Sequence, residues 1–176
     1  MSCTNELDER VAQGYLHDFL KYHPDYSQMP LVLEMEATGG LLVDYDKLRT
    51  AFEEAHRLKP QDTQVLLALG VLKFIQRDFV GARNYFGIAI RENPTDHSLW
   101  NKFGAAMSNN LDIKKAIEAY ELALDLRPNY VRSIVNIGLA FNNLADFKSA
   151  ATHFMNALIL NPKLDHVWIY LRSAFI

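Results

Sequence analysis

The chain has 176 residues, of which 49% are hydrophobic and 22% charged, enough to bury a core and too balanced for a disordered or membrane-embedded polypeptide. Its 18 Lys and Arg are interspersed with 21 Asp and Glu for a net charge of −3, so it carries no basic stripe for nucleic acid or anionic lipid. Cys3 is the sole cysteine, which excludes an internal disulfide framework and a Cys-based zinc site and fits a reducing compartment, the cytosol by default.

No apolar run approaches the ~18–20 residues needed to span a bilayer. No charged n-region precedes an apolar stretch at the amino end. Residues 7–23, "LDERVAQGYLHDFLKYH", read as an amphipathic helix with Ala12, Leu16 and Phe19 on its apolar side and Pro24 at its end. Pro24, Pro30 and Gly39–Gly40 then break the pattern, which predicts an irregular hinge or linker over 25–43. Residues 44–62 return to a helical pattern through Leu48, Phe52 and Ala55 and stop at Pro60.

From there the chain repeats. Pro60, Pro94, Pro128 and Pro162 are 34 residues apart, the period of tetratricopeptide helix hairpins. With proline at position 32, the frames are 63–96, 97–130 and 131–164. Position 8 is then Gly70, Gly104 and Gly138, position 20 is Ala82, Ala116 and Ala150, and position 27 is Ala89, Ala123 and Ala157. Bulky residues take position 4 (Leu66, Trp100, Ile134), position 7 (Leu69, Phe103, Ile137) and position 24 (Phe86, Tyr120, Phe154). Small residues let helix backbones approach, and the bulky ones are expected to fill the spaces between successive hairpins. Trp100 and Trp168 at position 4 are expected in the core.

The predicted architecture is therefore all-α, a right-handed superhelical solenoid of hairpins. Residues 1–24 are the end of one repeat and 44–62 the second helix of a degenerate one, whose first helix is missing or distorted. Three complete repeats follow, and 165–176 begin a terminal helical bundle in which Arg172 replaces the expected glycine.

Function is expected on the first helix of each hairpin, at groove positions 2, 5, 6, 9, 12 and 13. In 97–130 these are Ser98, Asn101, Lys102, Ala105, Ser108 and Asn109, and in 131–164 Arg132, Val135, Asn136, Leu139, Asn142 and Asn143. Frame 63–96 offers a largely apolar wall instead: Gln64, Leu67, Ala68, Val71, Phe74 and Ile75. Asn5 falls at position 13 when referred to Pro24, level with Asn109 and Asn143.

Asn is a mediocre helix former. Its amide, however, offers a donor and an acceptor and can clasp peptide main chain without reading side chains. Arg132 and Lys102 make one end of this face electropositive, suited to a C-terminal carboxylate. Asn109–Asn110 and Asn142–Asn143 lie near the intrahairpin turn, where Asn also caps chain ends, and both readings stand for them. Asn101 and Asn136 sit mid-helix, where no cap is available. The six His show no metal-binding spacing, and neither a Gly-rich phosphate loop nor a nucleophile elbow is present. Metal, cofactor and enzymatic chemistry are accordingly not expected.

"LWNKFGAAMSNN" and "NYVRSIVNIGLAFNN", with "SCTNE" at residues 2–6, resemble the tetratricopeptide half of the peroxisomal import receptor family for type-1, SKL-like C-terminal signals. That resemblance implies that Asn5, Asn101, Asn109, Arg132, Asn136 and Asn143 line the signal pocket, with Thr4, Lys102 and Ala105 as neighbours and Glu6 favouring a basic penultimate side chain. It further implies a receptor that works in the cytosol, cycles to the peroxisomal or glycosomal membrane, and docks there through regions absent from this chain. The family's first two repeats are also absent. A co-chaperone module for acidic EEVD-type tails would want Lys at position 5 and Asn at 9, where this chain has Asn101 and Ala105; a scaffold for other partners is a further alternative.

Overall fold

The computed structural model describes residues 9–37 and 44–174, and among them ten helices and no strand. The helices are α1 (Glu9–Tyr22), α2 (Pro30–Ala37), α3 (Tyr45–Leu58), α4 (Thr63–Ile75), α5 (Phe79–Glu92), α6 (His97–Asn109), α7 (Ile113–Leu126), α8 (Val131–Asn143), α9 (Phe147–Leu160) and α10 (Asp165–Ser173). Helices α4 with α5, α6 with α7, and α8 with α9 form hairpins, and each hairpin packs on the next through α5–α6, α7–α8 and α9–α10. First helices α6 and α8 also meet directly. Helices α1 and α2 both lie against α3.

Each second helix stops two residues before its proline. The residue between lies outside the helical region: Lys59 at φ −134°, ψ 84°, Asn93 at −138°, 78°, Arg127 at −145°, 90° and Asn161 at −145°, 93°. Proline's ring clashes with a helical backbone in the residue before it, so a preproline residue is driven out of the α region and the helix ends there.

The glycines at position 8 lie against the aromatic of their own hairpin. A Cβ on Gly104 would stand 2.7 Å from the Tyr120 ring, one on Gly138 would stand 2.6 Å from the Phe154 ring, and one on Gly70 would run into Phe86. The position-24 aromatics thus fill a gap inside each hairpin and also reach the next element, as expected from the sequence: Phe86 packs with Ala106, Tyr120 with Ile137 and Phe154 with Tyr170. Phe86, Tyr120 and Phe154 are all buried, and the close approach that glycine permits is what admits them.

Aspartate recurs just ahead of the second helices. Asp44, Asp78 and Asp146 accept from the backbone N–H groups of Asp46, Gly81 and Ser149, satisfying donors that the first helical turn leaves open. The intrahairpin turns before Asp78, Asp112 and Asp146 each pass through a left-handed residue: Arg77 at φ 62°, Leu111 at 67° and Ala145 at 59°.

The stretch 25–43, expected to be irregular, contains helix α2. Pro30 is its first residue, where a fixed φ suits helix entry and the missing N–H costs nothing. Proline here starts a helix instead of breaking one. Val32 and Met35 on α2 are buried with Leu20, Tyr26, Leu48, Phe52 and Leu69 in one cluster, so this two-turn helix stands where the short first helix of a hairpin with α3 belongs. The turn leading to it is anchored by Tyr26, whose hydroxyl donates to Asp62 Oδ2 at 2.6 Å.

The position-4 tryptophans are less buried than expected. Trp168 is 52% exposed and Trp100 is only partly buried. Each instead donates its indole N–H to the carbonyl of the preceding repeat proline, Trp100 to Pro94 at 2.9 Å and Trp168 to Pro162 at 3.2 Å. The indole has one apolar body and one polar N–H, and the turn carbonyl takes that proton while the ring stays at the surface.

Candidate functional site

Helices α6 and α8 are equivalent first helices of adjacent hairpins, so residues at equivalent heights come together across 35 positions of sequence. Asn101 on α6 and Asn136 on α8 are 3% and 4% exposed, and Asn136 Nδ2 donates to Asn101 Oδ1 at 3.0 Å. Ser133, fully buried on α8, donates its hydroxyl to the same Asn101 Oδ1 at 2.9 Å. Asn101 Nδ2 and Asn136 Oδ1 make no hydrogen bond to another described residue. An amide pair with its own oxygen occupied leaves a donor at one end and an acceptor at the other.

Lys102 and Arg132 flank this pair in sequence. Burial pushes the Lys102 ammonium below the ordinary lysine range, the Arg132 charge pushes it down further, and Asp96 opposes both. Neither cation forms an ion pair with a described residue. Arg132 is exposed in the first turn of α8, a helix whose N-terminus has no side-chain cap because Tyr130 stands there. The equivalent place before α6 is Asp96, which caps Ser98 N–H at 2.7 Å. Two cations and an uncapped helix start give this corner a field that favours an anion.

The remaining expected residues are less closely joined. Asn109 is part-buried and donates through Nδ2 to Ala105 O at 2.8 Å on its own helix, which leaves its Oδ1 as acceptor. Ala105 is part-buried and Asn143 exposed on the last turn of α8. Asn110, not Asn109, is the C-cap of α6, and Leu144, not Asn142 or Asn143, that of α8. Thr4, Asn5 and Glu6 lie outside the described residues. Among the described residues no cluster of His, Cys, Asp and Glu could hold a metal ion, and no helix is long and apolar enough to cross a membrane.

Ser133 was absent from the expected site, yet the repeat frame could have flagged it. It occupies position 3, where the other frames carry Val65, Leu99 and Val167, all fully buried. A hydroxyl in an aliphatic slot is costly unless bonded, and that anomaly was the available signal.

The tetratricopeptide-repeat family matches the chain at residues 97–130. The peroxisomal targeting signal receptor of Saccharomyces cerevisiae is 35% identical over 107 residues, covering 61% of this chain and 18% of that protein. That of Kluyveromyces lactis is 34% identical over 162 residues, covering 92% and 28%. The peroxisomal targeting signal 1 receptor of Dictyostelium discoideum is 30% identical over 166 residues, covering 91% and 26%. The chain therefore spans only 18 to 28% of the length of these receptors.

Among solved structures, MamA superposes with a TM-score of 0.70 at 17% identity over 81% of each chain. The first tetratricopeptide domain of Spaghetti (RPAP3), bound to the HSP90 peptide SRMEEVD, superposes with a TM-score of 0.62 at 21% identity over 65% of this chain and 91% of that one. These likenesses bear on the fold alone. The chain is an all-α tetratricopeptide-repeat solenoid, homologous along most of its length to the peroxisomal targeting signal receptors.

Proposed function

We propose that the chain is the cargo-binding part of an import receptor and captures the C-terminal SKL-like tripeptide of peroxisomal or glycosomal matrix proteins on the α6–α8 face. The observation that carries this reading is the juxtaposition of an amide donor and acceptor that bond no other described residue, Asn101 Nδ2 and Asn136 Oδ1, with Lys102 and Arg132, two cations that form no ion pair among the described residues. Peptide main chain needs the first pair and a terminal carboxylate needs the second. Asn109 Oδ1 and exposed Asn143 extend the amide row toward the intrahairpin turn. Roles for Thr4, Asn5 and Glu6 rest on the sequence resemblance. The receptor would meet cargo in the cytosol and dock at the organelle through regions outside this chain.

The EEVD-tail alternative draws on the Spaghetti (RPAP3) neighbour, whose bound peptide ends in EEVD. Its disadvantage is chemical. A peptide rich in carboxylates asks for several lysines on the groove, and positions 5 and 9 here are an amide and a methyl, Asn101 and Ala105.

Fluorescence anisotropy with labelled peptides ending in Ser-Lys-Leu and in EEVD separates the two. The proposal expects the first to bind at least about tenfold more tightly, about 1.4 kcal/mol. Equal or inverted affinities would sink it.

A further inference from the structure

Four position-3 residues are fully buried at the start of first helices, and Ser133 is the one polar member beside Val65, Leu99 and Val167. Packing alone is met by an aliphatic side chain at this position. What serine adds is a single hydrogen bond, from its hydroxyl to Asn101 Oδ1 at 2.9 Å. Asn136 Nδ2 reaches the same oxygen at 3.0 Å.

We infer that Ser133 is a positioning residue: it saturates Asn101 Oδ1 together with Asn136 and so fixes the Asn101 amide with only its Nδ2 donor available to a ligand. An amide carries its donor and acceptor on a freely rotatable bond, and a half-turn exchanges them. With one oxygen holding two buried donors, that half-turn would set the Asn101 N–H group against the Asn136 N–H group, two donors with no acceptor between them, and would turn the Ser133 hydroxyl into an acceptor whose own proton loses its partner in the core. Burial of an unpaired hydroxyl is unfavourable. The chemical class of the ligand group follows. The atom that meets Asn101 must be an acceptor, a peptide carbonyl or carboxylate oxygen, and the atom that meets Asn136 Oδ1 must be a donor, a peptide N–H. This deepens, and rests on, the reading of the α6–α8 face as a peptide site.

Two substitutions separate positioning from packing. Ser133→Thr keeps the hydroxyl, and Ser133→Val places at this position the residue that frames 63–96 and 165–176 already carry. Both are measured in the chain by thermal unfolding, by the side-chain amide resonances of Asn101 and Asn136 without ligand, and by affinity for a peptide ending in Ser-Lys-Leu. The expected result is that Ser133→Val unfolds no earlier than the parent, shifts the Asn101 amide resonances and weakens the peptide about tenfold. Ser133→Thr is expected to restore both resonances and affinity to within about twofold. Unshifted Asn101 resonances in Ser133→Val overturn the positioning role whatever the peptide does. Shifted resonances with unchanged affinity overturn its relevance to binding. Shifted resonances in Ser133→Val, together with a parent chain that binds no peptide, uphold the lock and overturn the peptide site, so the two ideas fail separately.

Discussion

Asn136 Nδ2 donates to Asn101 Oδ1 across two adjacent hairpins, with both side chains almost wholly buried. The bond joins equivalent helices at nearly equivalent heights, since the two residues are 35 apart in a 34-residue repeat. It also means that these amides serve stability as well as any ligand. Asn101→Leu takes the residue type of Leu67, which holds the same position one frame earlier. It leaves the Ser133 hydroxyl and the Asn136 amide without their shared acceptor, and we expect a loss of about 1–3 kcal/mol in urea unfolding. The Asn101→Leu/Ser133→Val double variant should recover about 1 kcal/mol of that loss, because the orphaned hydroxyl is gone. A double variant no more stable than Asn101→Leu would show that the serine bond carries no stability.

Gly138 faces the Phe154 ring with no room for a methyl group. Gly138→Ala is expected to destabilise by about 1–3 kcal/mol through overpacking. Gly14 on α1 has nothing within 4 Å of its Cβ position, so Gly14→Ala should stabilise by about 0.5–1 kcal/mol through helix propensity. Opposite signs from one substitution at two helical glycines, read by chemical denaturation, test the hairpin packing directly.

Leu111 holds φ 67° with its side chain 85% exposed, a conformation that costs an L-residue about 1–2 kcal/mol and glycine nothing. Leu111→Gly is expected to raise stability by about 0.5–1 kcal/mol after the added flexibility of the unfolded chain is subtracted. A lower denaturation midpoint would contradict the turn geometry.

Burial pushes the Asp62 carboxyl up, but hydrogen bonds from the Tyr26 hydroxyl and from the Val65 and Gln64 amides outweigh it, and the group sits below its usual range. A depressed carboxyl gives stability that is present above its unfolded pKa, about 3.9, and is lost as pH falls through the lower folded value. Tyr26→Phe removes one of those donors. It should cost about 1 kcal/mol at neutral pH and lose less stability than the parent on acidification from pH ~5 to pH ~2. Parallel pH profiles of parent and variant would count against the Tyr26–Asp62 anchor.

Burial and the Arg132 charge hold the Lys102 ammonium below the ordinary lysine range. If it faces a bound carboxylate, affinity should fall with rising pH at values where an ordinary lysine, near pKa ~10.4, is still charged. Arg132→Gln relieves part of that pressure and should move the fall to higher pH. Titrating peptide affinity between about pH 7 and 10 checks both statements. An affinity flat over that range in the parent would remove Lys102 from the site.

Much of the fold was legible because the repeat writes each packing role several times. The proline period predicted helix hairpins, and the Gly104–Tyr120 and Gly138–Phe154 contacts give the small and large positions their physical meaning. What was misread belongs to single residues whose effect depends on context. Pro30 looked like a breaker and is a first-turn residue; Trp168 looked like core and is held at the surface by the Pro162 carbonyl. The aspartates before α3, α5 and α9 were visible in the sequence but acquire meaning only once the helix starts are known. At the site, the amides of Asn101 and Asn136 stood out by composition. Their mutual bond could not be read from spacing within one frame, because it runs between frames. Ser133 could be found only by comparing position 3 across repeats, where Val65, Leu99 and Val167 make its hydroxyl the exception.

The central claim, that this face receives a free C-terminal carboxylate beside Arg132 and Lys102, is tested most directly by anisotropy with one peptide in two forms. A labelled peptide ending in Ser-Lys-Leu is compared with its C-terminally amidated twin at one salt concentration. We expect the acid to bind more tightly by about tenfold or more, and the difference to shrink in Arg132→Gln. Equal affinity of acid and amide for the parent chain would contradict carboxylate capture.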